Sequence, residues 1–165
     1  AASDVYKRQV KGTVLCLHGF AQNGSVFSVK ASGIRKALKK AGFHTVFVDA
    51  PIALTAADLP FEASSYGADD KTEELNFRGW VYTQKDKFDI KPSLETVKKA
   101  YAEHGPFVGI LGFSQGAGVA GLILAHYNEV MGDDKAADSL KFAILYSGFK
   151  FEHESVQHYL SLIHI

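Results

Sequence analysis

The chain has 165 residues, 47% of them hydrophobic and 22% charged, with eighteen Lys and Arg balanced by eighteen Asp and Glu. That composition suits one globular domain with a core of its own, and a net charge of zero gives no reason to expect nucleic acid or an acidic partner. The single cysteine, Cys16, excludes an internal disulfide framework, and no apolar run reaches the roughly 20 residues of a membrane-spanning helix.

Residues 1–9, Ala-Ala-Ser-Asp-Val-Tyr-Lys-Arg-Gln, do not read as protein. The codons GAT GTG TAT AAG AGA CAG encode residues 4–9. Their reverse complement, CTG TCT CTT ATA CAC ATC, encodes Leu-Ser-Leu-Ile-His-Ile, which is residues 160–165. Two ends that back-translate to the two strands of one short DNA are most simply explained by read-through of a sequencing adapter. Segments 1–9 and 160–165 are therefore set aside from fold reasoning, and both are expected to pack poorly. Residues 10–159 are the natural segment, and Ser161 and His164 carry no functional weight.

A continuous apolar run at 13–18 predicts a strand buried on both faces, with Cys16 as a buried structural thiol. It ends at Leu17-His18-Gly19-Phe20. A helix follows over 26–40, with Phe27, Ala31, Ile34 and Leu38 at helical spacing and Gly42 past its end. The next strand, 45–48, closes on Asp49-Ala50-Pro51. Residues 52–88 give mixed signals and exceed a normal connector, which predicts a cap or pocket wall. Phe61, Tyr66, Phe77, Trp80 and Tyr82 within it are read evenly as pocket lining or plain core. A helix at 92–104 has proline in its first turn and Gly105 as its stop. Residues 107–111 are a buried strand and 117–125 a buried helix. Gly132-Asp133-Asp134 marks a loop, and 142–146 is a fourth strand ending at Ser147-Gly148. Strands alternating with helices predict an α/β domain with one parallel sheet.

Between the strand at 107–111 and the helix at 117–125 stands Gly112-Phe113-Ser114-Gln115-Gly116. Strand, Gly-x-Ser-x-Gly, helix is the pattern of a nucleophile elbow, in which a strained turn lifts the serine hydroxyl clear of the sheet. Any side chain at Gly112 or Gly116 would collide with the neighbouring strand or helix. The free N–H groups of the new helix face whatever oxyanion forms. In such folds the residue after the nucleophile gives one oxyanion-hole amide and the turn after an earlier strand gives the other. Those amides are here Gln115 and Phe20, beside Ser114 as the catalytic residue. His18 is read as a structural histidine bracing its loop, because the base in this fold comes late in the chain. Asp49 is read as a loop residue that hydrogen-bonds local backbone.

Several segments together resemble the FSH family of serine hydrolases, which includes fungal esterases and the ovarian-cancer-associated serine hydrolase. They are Leu17-His18-Gly19-Phe20-Ala21-Gln22-Asn23-Gly24, Phe47-Val48-Asp49-Ala50-Pro51, Asp58-Leu59-Pro60-Phe61-Glu62, Arg78-Gly79-Trp80 and Gly112-Phe113-Ser114-Gln115-Gly116. The resemblance implies an α/β-hydrolase fold and hydrolysis of a small-molecule acyl ester or thioester, with Ser114 as nucleophile and neither cofactor nor metal. Gly-Phe-Ser-Gln-Gly also occurs in acyl-protein thioesterase-like carboxylesterases, the nearest alternative, and a non-catalytic α/β binding module is the other. The chain departs from the pattern in one respect. The triad order is Ser, then Asp or Glu, then His, each after a further strand, and no such strand follows 142–146. Asp133, Asp134 and Asp138 come too early, and His153 and His158 precede any further strand. The expectation is thus a C-terminally truncated α/β-hydrolase domain that is by itself inactive. No leader is visible, which makes cytoplasmic the starting expectation, and the sequence sets no oligomeric state.

Overall fold

The computed structural model describes residues 10–59 and 75–160. Its elements run β1 (Gly12–Leu17), α1 (Gly24–Lys30), α2 (Ser32–Lys40), β2 (Phe43–Val48), β3 (Ile52–Ala53), β4 (Arg78–Gly79), α3 (Lys91–His104), β5 (Phe107–Phe113), α4 (Gln115–Ala125), α5 (Tyr127–Met131), β6 (Phe142–Tyr146) and α6 (Gln157–Leu160). The main sheet has the order β2-β1-β5-β6. Every neighbouring pair is parallel, as the strand–helix alternation predicts.

Alternate residues of the strands feed two cores. On one face Leu15, Leu17 and Ile110 pack with Val97, Val119, Leu122 and Ile123 from α3 and α4. On the other, Val14, Cys16 and Leu111 meet Phe27 and Leu38 from α1 and α2. Cys16 is fully buried, as expected of a structural thiol, and burial pushes its pKa up to about 12.

The chain reverses direction about β1. From β1 it passes through α1 and α2 to β2 on one side, while β5 pairs on the other, with Leu17 opposite Gly112. Such a switch point opens a crevice at the carboxyl ends of the strands. The turn after β1 and the turn after β5 therefore emerge side by side.

The helix expected over 26–40 is two helices. Ala31, at φ −88° and ψ 19°, ends α1 and begins α2. Ser32 and Gly33 are weak helix formers at that point, and the Phe27, Ala31, Ile34, Leu38 spacing runs through the break unaltered, so periodicity alone hides it. Strand β5 also runs to Phe113 rather than 111, which places the serine at the next residue. Gly132, in the left-handed conformation at φ +69°, ends α5 where a loop was expected.

The segment 52–88 is partly core and partly wall. Strand β3 pairs antiparallel with β4, while Trp80 and Val81 are buried in the main core. Phe61 and Tyr66 lie outside the described residues, as do 1–9 and 161–165. Leu160 departs from the expectation for its segment: it is buried against the core beneath α4, because the last turn of α6 seats an apolar side chain there. Among the described residues no helix is long and apolar enough to cross a membrane.

Candidate active site

Ser114 sits between β5 and α4 with φ +53° and ψ −116°. L-residues rarely adopt that conformation, at a cost of about 1–3 kcal/mol. Neighbours hold it on both sides. The Ser114 N–H donates to the Tyr146 carbonyl at 2.8 Å, and the Gly118 N–H donates to the Ser114 carbonyl at 3.1 Å. The serine is half-buried, and its hydroxyl has no hydrogen-bond partner among the described residues.

The two glycines of the motif are there for space. A Cβ on Gly116 would lie 2.3 Å from the Leu17 carbonyl oxygen and 2.4 Å from that of His18. One on Gly112 would lie 2.7 Å from the Ala117 Cα. Backbone cannot swing aside as a side chain can. The Gly116→Ala protein is therefore expected to lose about 3 kcal/mol or more, because α4 is forced off the end of β1. Urea unfolding followed by Trp80 fluorescence checks this. A loss below about 1 kcal/mol would mean that the elbow has slack.

The same carbonyls place the turn after β1 directly against the elbow. No described acceptor takes the N–H of Phe20 or of Gln115. His18, fully buried, braces this turn as expected. Its Nδ1 is 2.7 Å from the Gly19 carbonyl, and its Nε2 accepts the Ala50 N–H at 2.9 Å. That pattern requires the neutral ring with the proton on Nδ1. Burial lowers the His18 pKa below its ordinary 6.5, against a smaller opposing pull from the Gly19 bond and Asp49.

A depressed histidine pKa has a definite sign in stability. Between the folded pKa and about 6.5 the unfolded chain holds the proton and the folded chain does not. Stability is thus fully present above about pH 6.5 and falls as pH drops below it, by up to about 1.4 kcal/mol per pH unit from this group. Urea midpoints of wild type and His18→Gln at pH 7.5, 6.5 and 5.5 test this. Equal slopes in the two proteins would remove His18 from the account.

Asp49 bonds a backbone amide, not the local one expected but one 25 residues away. Its Oδ1 accepts the Gly24 N–H at 2.7 Å, at the start of α1. Asp133 accepts the Tyr101 hydroxyl at 2.7 Å, which lowers the Asp133 pKa. His153 stacks on Phe88 with ring centroids 4.5 Å apart, and its Nδ1 bonds the Ser155 hydroxyl at 2.7 Å. The structure thus brings together Ser114, Gln115 and the turn of Phe20. It brings no described histidine or carboxylate to the Ser114 hydroxyl.

Sequence reasoning missed the tie that joins these parts. The Gln115 side chain is buried, and its Oε1 accepts the Trp80 N–H at 2.7 Å while its Nε2 donates to the Val81 carbonyl at 3.1 Å. The Trp80 indole N–H donates to the His18 carbonyl at 2.8 Å. Trp80 itself is anchored by Ser93, whose hydroxyl donates to the Trp80 carbonyl. Arg78 adds a bond from Nη1 to the Ala50 carbonyl at 3.0 Å. One buried residue on the segment 52–88, Trp80, thereby clamps both turns, one through its indole and the other through its backbone N–H. The Arg78-Gly79-Trp80 motif marks the segment in the sequence, but nothing in its spacing reveals a partner 35 residues away.

A cavity of about 620 Å³ opens beside the elbow, lined among others by Val81, Tyr82, Phe88, Gln115, Phe151 and His153. Its walls mix aromatic and polar groups, the usual make-up of a small-molecule site. Of the aromatic residues left open between pocket and core, Tyr82 lines the cavity and Trp80 is core. A larger hollow, about 740 Å³, lies between α2 and β2, remote from the elbow. Size alone therefore misplaces the site, and the strained serine locates it better.

Comparison with known proteins bears on this arrangement. The family described as "Serine hydrolase (FSH1)" matches residues 8–165. "Family of serine hydrolases 3" of Saccharomyces cerevisiae is 36% identical over 159 residues, covering 89% of this chain and 59% of that protein. "Esterase OVCA2" of Danio rerio is 31% identical over 161 residues, covering 86% of this chain and 67% of its own length. The chain thus spans about three-fifths to two-thirds of these relatives. Among solved structures, the Bacillus cereus carboxylesterase superposes with a TM-score of 0.51 at 16% identity, over 85% of this chain and 55% of that one, a likeness of fold.

Proposed function

Because the chain belongs to the FSH family of serine hydrolases, we propose that its parent protein cleaves carboxyl esters or thioesters through an acyl-serine intermediate on Ser114. The observation that carries this reading is the strained Ser114 conformation at the head of α4, beside the turn of Phe20. The serine hydroxyl attacks the acyl carbonyl. The amides of Phe20 and Gln115, free of described acceptors, hold the developing oxyanion. The C–O or C–S bond then breaks, the alcohol or thiol departs with the proton taken from Ser114, and water hydrolyses the acyl-serine to release the acid. The cavity lined by Tyr82 and Phe88 receives the acyl chain.

A general base is still required, since a serine hydroxyl is a poor nucleophile without one. We place that base and the acid that orients it beyond residue 159, on strands that continue the sheet past β6. Two observations support this. β6 is an end strand of the described sheet, and Leu145 and Tyr146 on it are 42% and 52% exposed, an apolar edge that another strand would cover. The chain also covers only 59% of its yeast relative.

The test is covalent. The full-length protein treated with a fluorophosphonate is expected to carry the phosphonate on the peptide containing Ser114, and the Ser114→Ala protein to carry none. A modified peptide elsewhere would overturn the assignment.

A further inference from the structure

The net charge of zero conceals a separation along the chain. Residues 10–48 hold Lys11, Lys30, Arg35, Lys36, Lys39 and Lys40 and not one Asp or Glu, while the acids begin again at Asp49. The fold gathers five of these cations on α1 and α2, which lie together on one face of the sheet. Among the described residues no carboxylate pairs with Lys30, Arg35, Lys36 or Lys39. Arg35 has a buried Nε without a hydrogen-bond partner. Beside the cations stand apolar side chains that the fold leaves in water: Val29 is 71% exposed, Val26 37% and Val10 62%.

We propose that the α1–α2 face docks on an anionic lipid surface. α1 and α2 carry five cations and no carboxylate of their own, a charge pattern complementary to a sheet of phosphate headgroups. The valines decide between lipid and a free polyanion. They add nothing to binding a soluble phosphate, whereas at a bilayer they enter the boundary between headgroups and acyl chains. Arg35, which lines the hollow between α2 and β2 with Lys36 and Lys39, takes a headgroup phosphate at its lip. Lys98 and Lys99 on α3 lie on the opposite face of the sheet, and Lys99 already meets Glu103 at 3.9 Å, so that face offers no equivalent. Docking does not depend on hydrolysis. Only its consequence, access to lipid-borne acyl esters, rests on the hydrolase reading.

The experiment is sedimentation of the full chain with vesicles of pure phosphatidylcholine and of phosphatidylcholine with 30% phosphatidylserine. Binding is expected to the second alone, and to weaken at least tenfold between 50 and 500 mM NaCl. Lys36→Glu/Lys39→Glu is expected to bind at least tenfold more weakly, at about 1 kcal/mol for each cation near the surface. Lys98→Glu/Lys99→Glu, the same change in net charge, keeps its binding. Val29→Asp weakens binding several-fold. The burial of Trp80, read by its fluorescence, confirms that each variant is folded. The Ser114→Ala chain is expected to sediment like wild type, which keeps this test separate from that of the hydrolase reading. Failure to bind phosphatidylserine vesicles at 50 mM salt, equal losses from the α2 and α3 reversals, or tighter binding to a DNA duplex than to vesicles would each overturn the proposal.

Discussion

Nitrophenyl-ester turnover is expected to be at least about 10⁴-fold faster in the full-length protein than in the 165-residue chain. The Ser114→Ala full-length protein is expected to fall to the level of the short chain. The Ser114 hydroxyl meets no described histidine. Loss of the nucleophile or its base from a serine hydrolase lowers kcat by about 10⁶, leaving a residual about 10³–10⁴-fold over water from oxyanion hole and binding. The short chain should do no better than that residual. Among the described residues β6 is an end strand, and an open site admits water that weakens each electrostatic contact with the transition state. Rapid, Ser114-dependent turnover by the short chain would sink this account. His153 would then be the first suspect, since it borders the same cavity as Gln115. His153→Ala together with the pH profile of the short chain would decide the matter.

Much of this arrangement was legible in the sequence, for a physical reason. Strands buried on both faces, such as 13–18 and 107–111, are continuous apolar runs, and a glycine next to a backbone contact leaves its mark as a motif. Gly116 is the clearest case, since the atoms that exclude a side chain there belong to the neighbouring strand. The break at Ala31 was not legible, because the apolar spacing is the same in one helix as in two. The role of the Gln115 side chain was not legible either. A glutamine after the serine reads as a donor of its backbone amide, and the partners of its side chain lie 34 and 35 residues away. Hydrogen bonds between segments distant in sequence leave no period to find. The charge separation over 10–48 was present in the sequence but hidden by a net charge of zero, and it gained meaning once α1 and α2 were seen on one face.

Trp80→Ala is expected to destabilise the fold by about 3–5 kcal/mol, and Trp80→Phe by about 1–3 kcal/mol with a separate effect on catalysis. Trp80 is fully buried, so truncation to alanine removes the largest side chain of the core and leaves a cavity. Phenylalanine keeps most of the apolar volume and removes one bond, the indole N–H to the His18 carbonyl. That carbonyl then stays buried without its donor. The catalytic effect follows from what the bond joins. The Trp80 indole holds the turn of His18 and Phe20, while the Trp80 backbone holds the Gln115 side chain next to Ser114. Freed from the indole, the first turn drifts relative to the second, and the Phe20 and Gln115 amides proposed as oxyanion donors no longer meet at one point. Loss of one such donor lowers kcat about 10²–10³-fold, so partial misplacement should lower it about tenfold or more with little change in KM. Urea unfolding followed by far-UV circular dichroism reads the first effect, and the split between kcat and KM in the full-length protein reads the second. A purely structural tryptophan would lower stability and leave kcat intact at temperatures where the variant is folded. That result for Trp80→Phe would reduce the clamp to packing and leave the alignment of the two turns to Gly116 and the β1–β5 ladder alone.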